Sequence, residues 1–195
     1  MIRVCDIVFS FFGLLFLSPL FLIIALWIII DNPGPVFYRQ QRVGKDGKDF
    51  GLLKFRSMRV GADKMSLITI GDRDPRVTRA GYYIRKYKID ELPQLWNVLT
   101  GDMSLVGPRP EVRRYVDLYT DEQRKVLSVR PGITDYASIE YIDENRHLAQ
   151  STDPDKTYIE QIMPAKIALN MRYIDHKTLG EYLKILFLTM TKIIR

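Results

Sequence analysis

Between Ile7 and Ile30 the chain carries no charged residue. A run of that length can cross a hydrocarbon core of about 30 Å, so it restricts the possible folds more than any other feature. A cleaved signal sequence fits poorly. Its apolar region is shorter and ends at a small-residue cleavage site, whereas Trp27-Ile28-Ile29-Ile30 runs directly into Asp31. Ser18-Pro19 lies near the middle of the block. Pro19 cannot donate a backbone hydrogen bond and crowds the carbonyl of Leu15 one turn earlier, which predicts a kink. In a bilayer the freed carbonyl needs another donor, and a nearby serine hydroxyl can supply it. Basic residues mark the cytoplasmic side, and here Arg3 precedes the block while Arg39, Arg42 and Lys45 follow it. Both flanks therefore look cytoplasmic. On these grounds alone a kinked spanning helix and a hairpin that enters and leaves by one face are equally acceptable.

The remainder of the 195 residues suffices for one compact domain. Asn32-Pro33-Gly34-Pro35 stops the helix and divides the chain into a membrane segment, 1–31, and a second domain, 32–195. Two strand-like runs, 36–43 and 50–58, flank Gly44-Lys45-Asp46-Gly47-Lys48 and predict a short basic hairpin. In its second arm Lys54 and Arg56 alternate with apolar residues and should share a face. Residues 62–79 form a polar, turn-rich loop able to order over a ligand. A helix should follow through Lys86. Leu92, Leu95, Trp96 and Leu99 have helical spacing, with Asp90 as the cap and Gly101 as the stop.

Further on, 111–118 predicts a short helix and Thr120-Asp121-Glu122-Gln123 a capping box. Residues 136–151 are polar and irregular, a place for specificity. From Asp153 the pattern is helical, interrupted at Pro164. The last helix, 179–194, is amphipathic: it can lie at a membrane surface or face the core. The fold class expected is mostly α with one small β-hairpin. The formal charge of +6 favours an anionic partner without selecting among nucleic acid, lipid and phosphate. A single cysteine, Cys5, excludes an internal disulfide.

Lys88-Ile89-Asp90-Glu91-Leu92-Pro93-Gln94 is the stretch best suited to chemistry. At a helix start the exposed amides and the dipole favour negative charge, so Asp90 should be ionised and hydrogen-bonded there. A phosphate also fits such a place, and an ionised aspartate beside a phosphoryl group is a nucleophile. The two anions repel unless cations intervene. Magnesium, with Asp90 as ligand, or basic clamps from Lys54, Arg85, Arg109 and Arg130 would serve. Arg109 stands out because Pro108 and Pro110 restrain its backbone. Taken alone, the acidic pair reads more readily as an ordinary helix cap, and Arg109 equally as a structural ion pair. His147 and His176 lack metal-ligand spacing. No phosphate-binding glycine loop or serine-hydrolase motif occurs.

Five ordered stretches together resemble the bacterial sugar transferases, in particular the small monotopic phosphoglycosyl transferases. They are the block with Ser18-Pro19, Lys54-Phe55-Arg56-Ser57-Met58, the run from Asp90 to Leu99, Gly101 to Glu111, and Arg130-Pro131-Gly132-Ile133-Thr134. The resemblance implies a re-entrant helix broken at Ser18-Pro19 and a cytoplasmic catalytic domain on the bacterial inner membrane, carrying amphipathic interfacial helices. It implies Asp90 as the nucleophile toward a UDP-sugar. UMP would leave, with magnesium assisting, and the phosphosugar would pass from Asp90 to polyprenol phosphate, the first membrane step of polysaccharide or glycoconjugate assembly. Glu91 would assist, and Lys54, Arg85 and Arg109 would surround the phosphates. Inner-membrane lipids are expected partners and nucleic acid is not; a homodimer is compatible. Asp135-Tyr136-Ala137-Ser138 departs from the Gly-Trp-Ala-Gln of many members, so their sugar preference is not carried over. Asn170 and Tyr182 stand where acidic residues are frequent. The competing class is a non-catalytic, membrane-tethered scaffold that binds anionic lipid.

Overall fold

The structure is a computed structural model, and it describes residues 1–62, 74–141, 148 and 150–194. The proposed ordering loop, 62–79, therefore lies largely outside the described residues, as do His147 and much of the irregular segment before Ser151.

Helix α1 (Ile2–Asp31) contains Pro19 in its interior. Ser18 Oγ donates to the carbonyl of Leu15 at 2.8 Å, supplying the bond that Pro19 cannot make. The helix is long and apolar enough to enter a membrane, and Phe9, Phe11, Phe12, Leu15 and Phe16 are exposed on it. Its polar residues instead tie both ends to the rest of the fold. Near the start, buried Asp6 accepts from Ser104 Oγ at 3.0 Å, Leu105 N at 2.9 Å and Tyr182 Oη at 2.9 Å. At the finish, Asp31 Oδ2 accepts from Ala80 N at 3.0 Å.

The predicted hairpin forms from β1 (Phe37–Val43) and β2 (Asp49–Phe55), antiparallel with Phe37 opposite Phe55 and Val43 opposite Asp49. Asp46 and Gly47 take positive φ, 58° and 72°, at the tip. An aspartate tolerates that region better than most residues, and a glycine does so without cost. After the hairpin comes α2 (Arg79–Lys86), capped by Thr78, whose hydroxyl accepts from Gly81 N at 2.9 Å.

One sequence expectation needs correction here. Asp90 does not cap the following helix. Lys88 turns the chain through φ 57°, Ile89–Glu91 form a single 3-10 turn, and α3 (Gln94–Thr100) starts only after Pro93. Proline lacks the amide hydrogen, so it suits the end of a helix and leaves the acidic pair in the preceding turn. Gly101 stops α3 in the left-handed region, as expected.

A second sheet escaped the sequence reading. Strands β3 (Ser104–Val106) and β4 (Gly132–Thr134) pair in parallel, with Ser104 opposite Gly132 and Val106 opposite Thr134. Gly107 and Gly132 touch across this pair: a Cβ on Gly132 would sit 2.1 Å from Gly107 N. No side chain fits there, and the contact brings the Pro108-Arg109-Pro110 loop against the strand ends.

Short helix α4 (Arg113–Val116) follows, and then a 3-10 turn over Gln123–Ser128. The capping box is present at that turn: Thr120 N donates to Gln123 Oε1 at 2.9 Å, and Gln123 N to Thr120 Oγ1 at 3.2 Å. Helix α5 (Tyr136–Glu140) precedes a continuous helical stretch in which a helix over Pro154–Thr157 passes through a π turn, Tyr158–Ile162, into α6 (Met163–Asp175). Pro164 falls in the first turn of α6, where it interrupts no bond that the helix needs. The last helix is α7 (Leu179–Ile194).

Three apolar clusters hold these elements. Leu52, Val98, Met103, Val106, Tyr173, Tyr182 and Ile185 form the central one. Ile24 and Ile28 of α1 pack with Phe55, Ala80 and Ile84. Val43, Val116, Tyr158, Met163 and Ile167 form the third, under the Arg109 loop. The core-facing reading of α7 holds for one side of the helix. Tyr182 and Ile185 are fully buried, whereas Leu183, Phe187 and Met190 point outward. Its outer side is therefore as apolar as a membrane-facing helix requires.

Candidate active site

Four elements converge on the acidic pair. Strand β2 brings Lys54, α2 ends at Arg85 and Lys86, the 3-10 turn holds Asp90 and Glu91, and the loop after β3 supplies Arg109. The register of β2 against α3 is fixed by one side chain. Asn97 Oδ1 accepts from Leu53 N at 2.9 Å while its Nδ2 donates to Gly51 O at 2.9 Å. Asn97 thus pairs with the backbone on either side of Leu52, and Lys54 follows within two residues.

Lys54 Nζ donates to Glu91 Oε1 at 3.3 Å. Arg109 grips the same carboxylate with both ends of its guanidinium: Nη1 donates to Oε2 at 3.1 Å and Nη2 to Oε1. This is the bidentate geometry in which arginine holds carboxylates and phosphates most firmly. Burial pushes the Glu91 carboxyl up, but Arg109 and Lys54 outweigh it and hold the group well below the ordinary glutamate range. Burial also lowers the Lys54 ammonium, against the attraction of Glu91.

Asp90 behaves in the opposite way. Burial raises its pKa, Lys54 partly offsets this, and the Glu91 charge adds to the rise. Among the described residues no hydrogen bond reaches its carboxylate. The expected hydrogen bonds from helix-start amides are not formed: with the helix start displaced to Pro93, no amide donates to the Asp90 side chain among the described residues. A half-buried carboxylate without a bonding partner is a group held ready for a ligand.

Arg85 lies close enough to Asp90 to lower its pKa. Arg130 is not brought to the pair; it is exposed and donates from Nε to Gly101 O at 2.8 Å, at the end of α3. Ser18 and Pro19 stay on α1, exposed and apart from these charges. No cluster of three or more metal-ligating side chains exists among the described residues. Asp90 can still contribute one oxygen to a magnesium ion whose other ligands are phosphate oxygens, the usual arrangement for that ion, and its lack of a hydrogen bond fits this use.

Two residues were missed at this site. Asp135 is fully buried, and its Oδ2 accepts from Arg109 N at 3.0 Å while Oδ1 accepts from Ser138 N at 2.5 Å. It caps α5 and fixes the Arg109 peptide together. The only available signal was the departure of Asp135 from glycine in an otherwise recognisable motif. Arg42, noted only as a flanking charge, places Nη1 3.2 Å from Pro110 O and 4.0 Å from Glu111, beneath the Arg109 loop.

A long apolar helix, with an aspartate that accepts no hydrogen bond among the described residues and lies near cations, points to a class: proteins that handle anionic groups. Comparison with known sequences narrows it. The bacterial sugar transferase family model matches residues 1–195, and the chain belongs to that family. It is 40% identical over 98% of its length to the UDP-N-acetylgalactosamine-undecaprenyl-phosphate N-acetylgalactosaminephosphotransferase of Aeromonas hydrophila. It is 37% identical over 97% of its length to the UDP-glucose:undecaprenyl-phosphate glucose-1-phosphate transferase of Escherichia coli, and 37% identical over 98% to the Caulobacter vibrioides protein of the same name. The matched regions are 43%, 39% and 69% of those proteins, so the chain spans under half of the first two.

Proposed function

We propose that this chain is a phosphoglycosyl transferase that moves a sugar-1-phosphate from a UDP-sugar to undecaprenyl phosphate and releases UMP. The observation that carries the reading is the divergence of the two adjacent carboxylates: Glu91 is locked between Arg109 and Lys54, while no hydrogen bond reaches Asp90 among the described residues. A lipid-binding scaffold has no use for that arrangement. An enzyme that needs one carboxylate to attack and cations to receive a diphosphate does.

In the first half-reaction an Asp90 oxygen forms a bond to the sugar-bearing phosphorus and the bond from that phosphorus to UMP breaks. UMP carries away the electron pair, and the phosphosugar stays on Asp90. In the second half an oxygen of the lipid phosphate bonds to the same phosphorus and the Asp90 oxygen leaves as a carboxylate. Arg109 and Lys54 face the phosphates and balance their charge, with Arg85 as a further cation nearby. Asp90 would be the residue that holds a magnesium ion, which would supply additional positive charge for the departing nucleotide. Glu91 acts chiefly by orienting Arg109 and Lys54. Its depressed pKa makes it a weak base, so deprotonation of the lipid phosphate is the less suitable role.

The attachment of α1 supports a re-entrant membrane segment. A 30-residue helix is about 45 Å long, enough to cross. A crossing would separate its ends by the hydrocarbon core of about 30 Å. Yet Asp6 bonds to β3 and α7, and Asp31 bonds to α2, all parts of one body. Entry and exit by the same face would require α1, a single continuous helix here, to bend at Ser18-Pro19 in the bilayer while both ends keep these contacts. The positive flanks favour the cytoplasmic side for that face.

Purified protein with magnesium, a UDP-sugar and undecaprenyl phosphate should release UMP, and Asp90→Asn should abolish the release while leaving the fold intact. Turnover by Asp90→Asn at the normal rate would rule the mechanism out.

A further inference from the structure

Helix α2 buries one side only. Ala80 and Ile84 on that side pack against Ile24 and Ile28 of α1. Its other side and its C-terminal cap carry three tyrosines that the fold leaves uncovered: Tyr82, Tyr83 and Tyr87 are 37%, 49% and 63% exposed. The rings are contiguous. Tyr82 and Tyr83 meet edge to face with centroids 5.2 Å apart, and Tyr83 lies 6.0 Å from the ring of Trp27 on α1. Ile23 and Ile30, one turn to either side of Trp27, are exposed as well. The aromatic patch therefore continues into the apolar outer surface of the long helix. Scattered exposed rings need no explanation, but a contiguous group of this kind marks a contact surface.

At its other end the patch meets the site. Tyr87 N donates to Tyr83 O at 3.1 Å and Lys88 N to Arg85 O at 3.0 Å, so α2 runs without a break into the turn that holds Asp90. Cations accompany the last ring. Lys86 Nζ stands 5.7 Å from the centroid of Tyr87, and Arg85 from the same helix is the cation of α2 that acts on Asp90. One surface thus passes from hydrocarbon-like side chains, through aromatic rings, to positive charge beside the free carboxylate.

We propose that Trp27, Tyr83 and Tyr87, with Lys86, form the approach by which the acceptor, a polyprenyl phosphate, reaches Asp90. The inference rests on the transferase reading given above. Such a lipid is amphipathic in the same order as the surface: its isoprenoid chain matches α1 and the ring faces, and its phosphate matches Lys86 and Arg85. Tyrosine and tryptophan suit the step between them, because each presents an apolar body and a polar tip where hydrocarbon meets water. A pyrimidine base also stacks on tyrosine, but it gains nothing from a patch that continues into an apolar helix. The phosphate that follows the rings arrives among cations, which offset its repulsion from the acidic pair.

The test uses the full chain in detergent with magnesium, undecaprenyl phosphate and the best donor among UDP-glucose, UDP-galactose, UDP-N-acetylglucosamine and UDP-N-acetylgalactosamine. Wild type, Tyr83→Ala and Tyr87→Ala are compared, both substitutions falling at exposed positions. In a transfer through a covalent intermediate, kcat/KM for each substrate reports its own half-reaction. For undecaprenyl phosphate it should fall roughly tenfold in each variant, the factor that one lost aromatic contact gives. For the UDP-sugar it should stay within about twofold of wild type. Sedimentation with phosphatidylglycerol vesicles that contain no undecaprenyl phosphate should be the same for all three proteins. Equal losses for both substrates would assign the rings to the fold, and a loss confined to the UDP-sugar would assign them to the nucleotide. Release of the variants from the vesicles would make the patch a bilayer anchor, and variants that match wild type throughout would leave it without a role in transfer. Each of these results overturns the assignment while the transferase reading stands. A wild type that releases UMP from no member of the panel overturns the transferase reading and the assignment with it.

Discussion

Asp90 and Glu91 are neighbours in sequence with opposite electrostatics. Burial drives Asp90 above the ordinary aspartate pKa, and Arg109 with Lys54 drives Glu91 below the ordinary glutamate pKa. A raised pKa means that Asp90 loses its charge at a higher pH than an exposed aspartate. The acid limb of kcat/KM should therefore lie above the usual carboxylate range, and a pH-rate profile will locate it. Glu91 has the opposite sign: its pairing stabilises the fold above the ordinary glutamate pKa and is lost only as the pH falls through the depressed value. Arg109→Lys removes the bidentate grip, and kcat/KM should fall by roughly a hundredfold or more, with no rescue by the retained charge. Asp135→Gly removes the acceptor from Arg109 N, so KM for the UDP-sugar should rise even though Asp135 is far from any role as nucleophile. Asp90, Glu91, Lys54 and Arg109 were singled out by the resemblance over five ordered stretches, since locally the pair reads as a helix cap and Arg109 as a structural ion pair. What their surroundings do was not legible. The protonation of Asp90 depends on a helix that begins after Pro93, and the hold on Arg109 depends on Asp135 from 26 residues away.

At the scale of elements, the hairpin, α2, α3, α4 and α7 were all visible, because each has its own period, cap or turn residues. The Thr120–Gln123 box closes as a local motif should. The β3–β4 pair was invisible for a physical reason. Two strands of three residues carry too few side chains to show alternation, and they form only because Gly107 and Gly132 permit backbone contact. Arg56 also differs from expectation: its guanidinium donates to Asn32 O and Pro33 O at the exit of α1, so it secures the membrane helix while Lys54 serves the site. Asn97 joins α3 to β2, and Asn97→Ala leaves Leu53 N and Gly51 O without its amide. Thermal unfolding followed by circular dichroism should show a loss of about 2–4 kcal/mol, because two buried backbone groups lose their partner.

The whole molecule is one body with a long apolar helix tied to it at both ends. That attachment, with Arg3 donating to Val98 O at 2.6 Å and Leu99 O at 3.0 Å, links the start of α1 to the end of the helix that follows the acidic pair. Single cysteines introduced before Ile7 and after Ile30, in a Cys5→Ser background, should both react with a membrane-impermeant label only from the cytoplasmic side. Labelling on opposite sides would replace the re-entrant segment with a crossing helix. The central claim concerns covalent transfer through Asp90. The most direct measurement is mass spectrometry of protein incubated with magnesium and a UDP-sugar in the absence of lipid acceptor, then quenched and digested. A stoichiometric burst of UMP and a phosphosugar adduct on the peptide containing Asp90 are expected, with neither in Asp90→Asn. UMP release that strictly requires undecaprenyl phosphate, with no adduct on that peptide, would contradict covalent transfer.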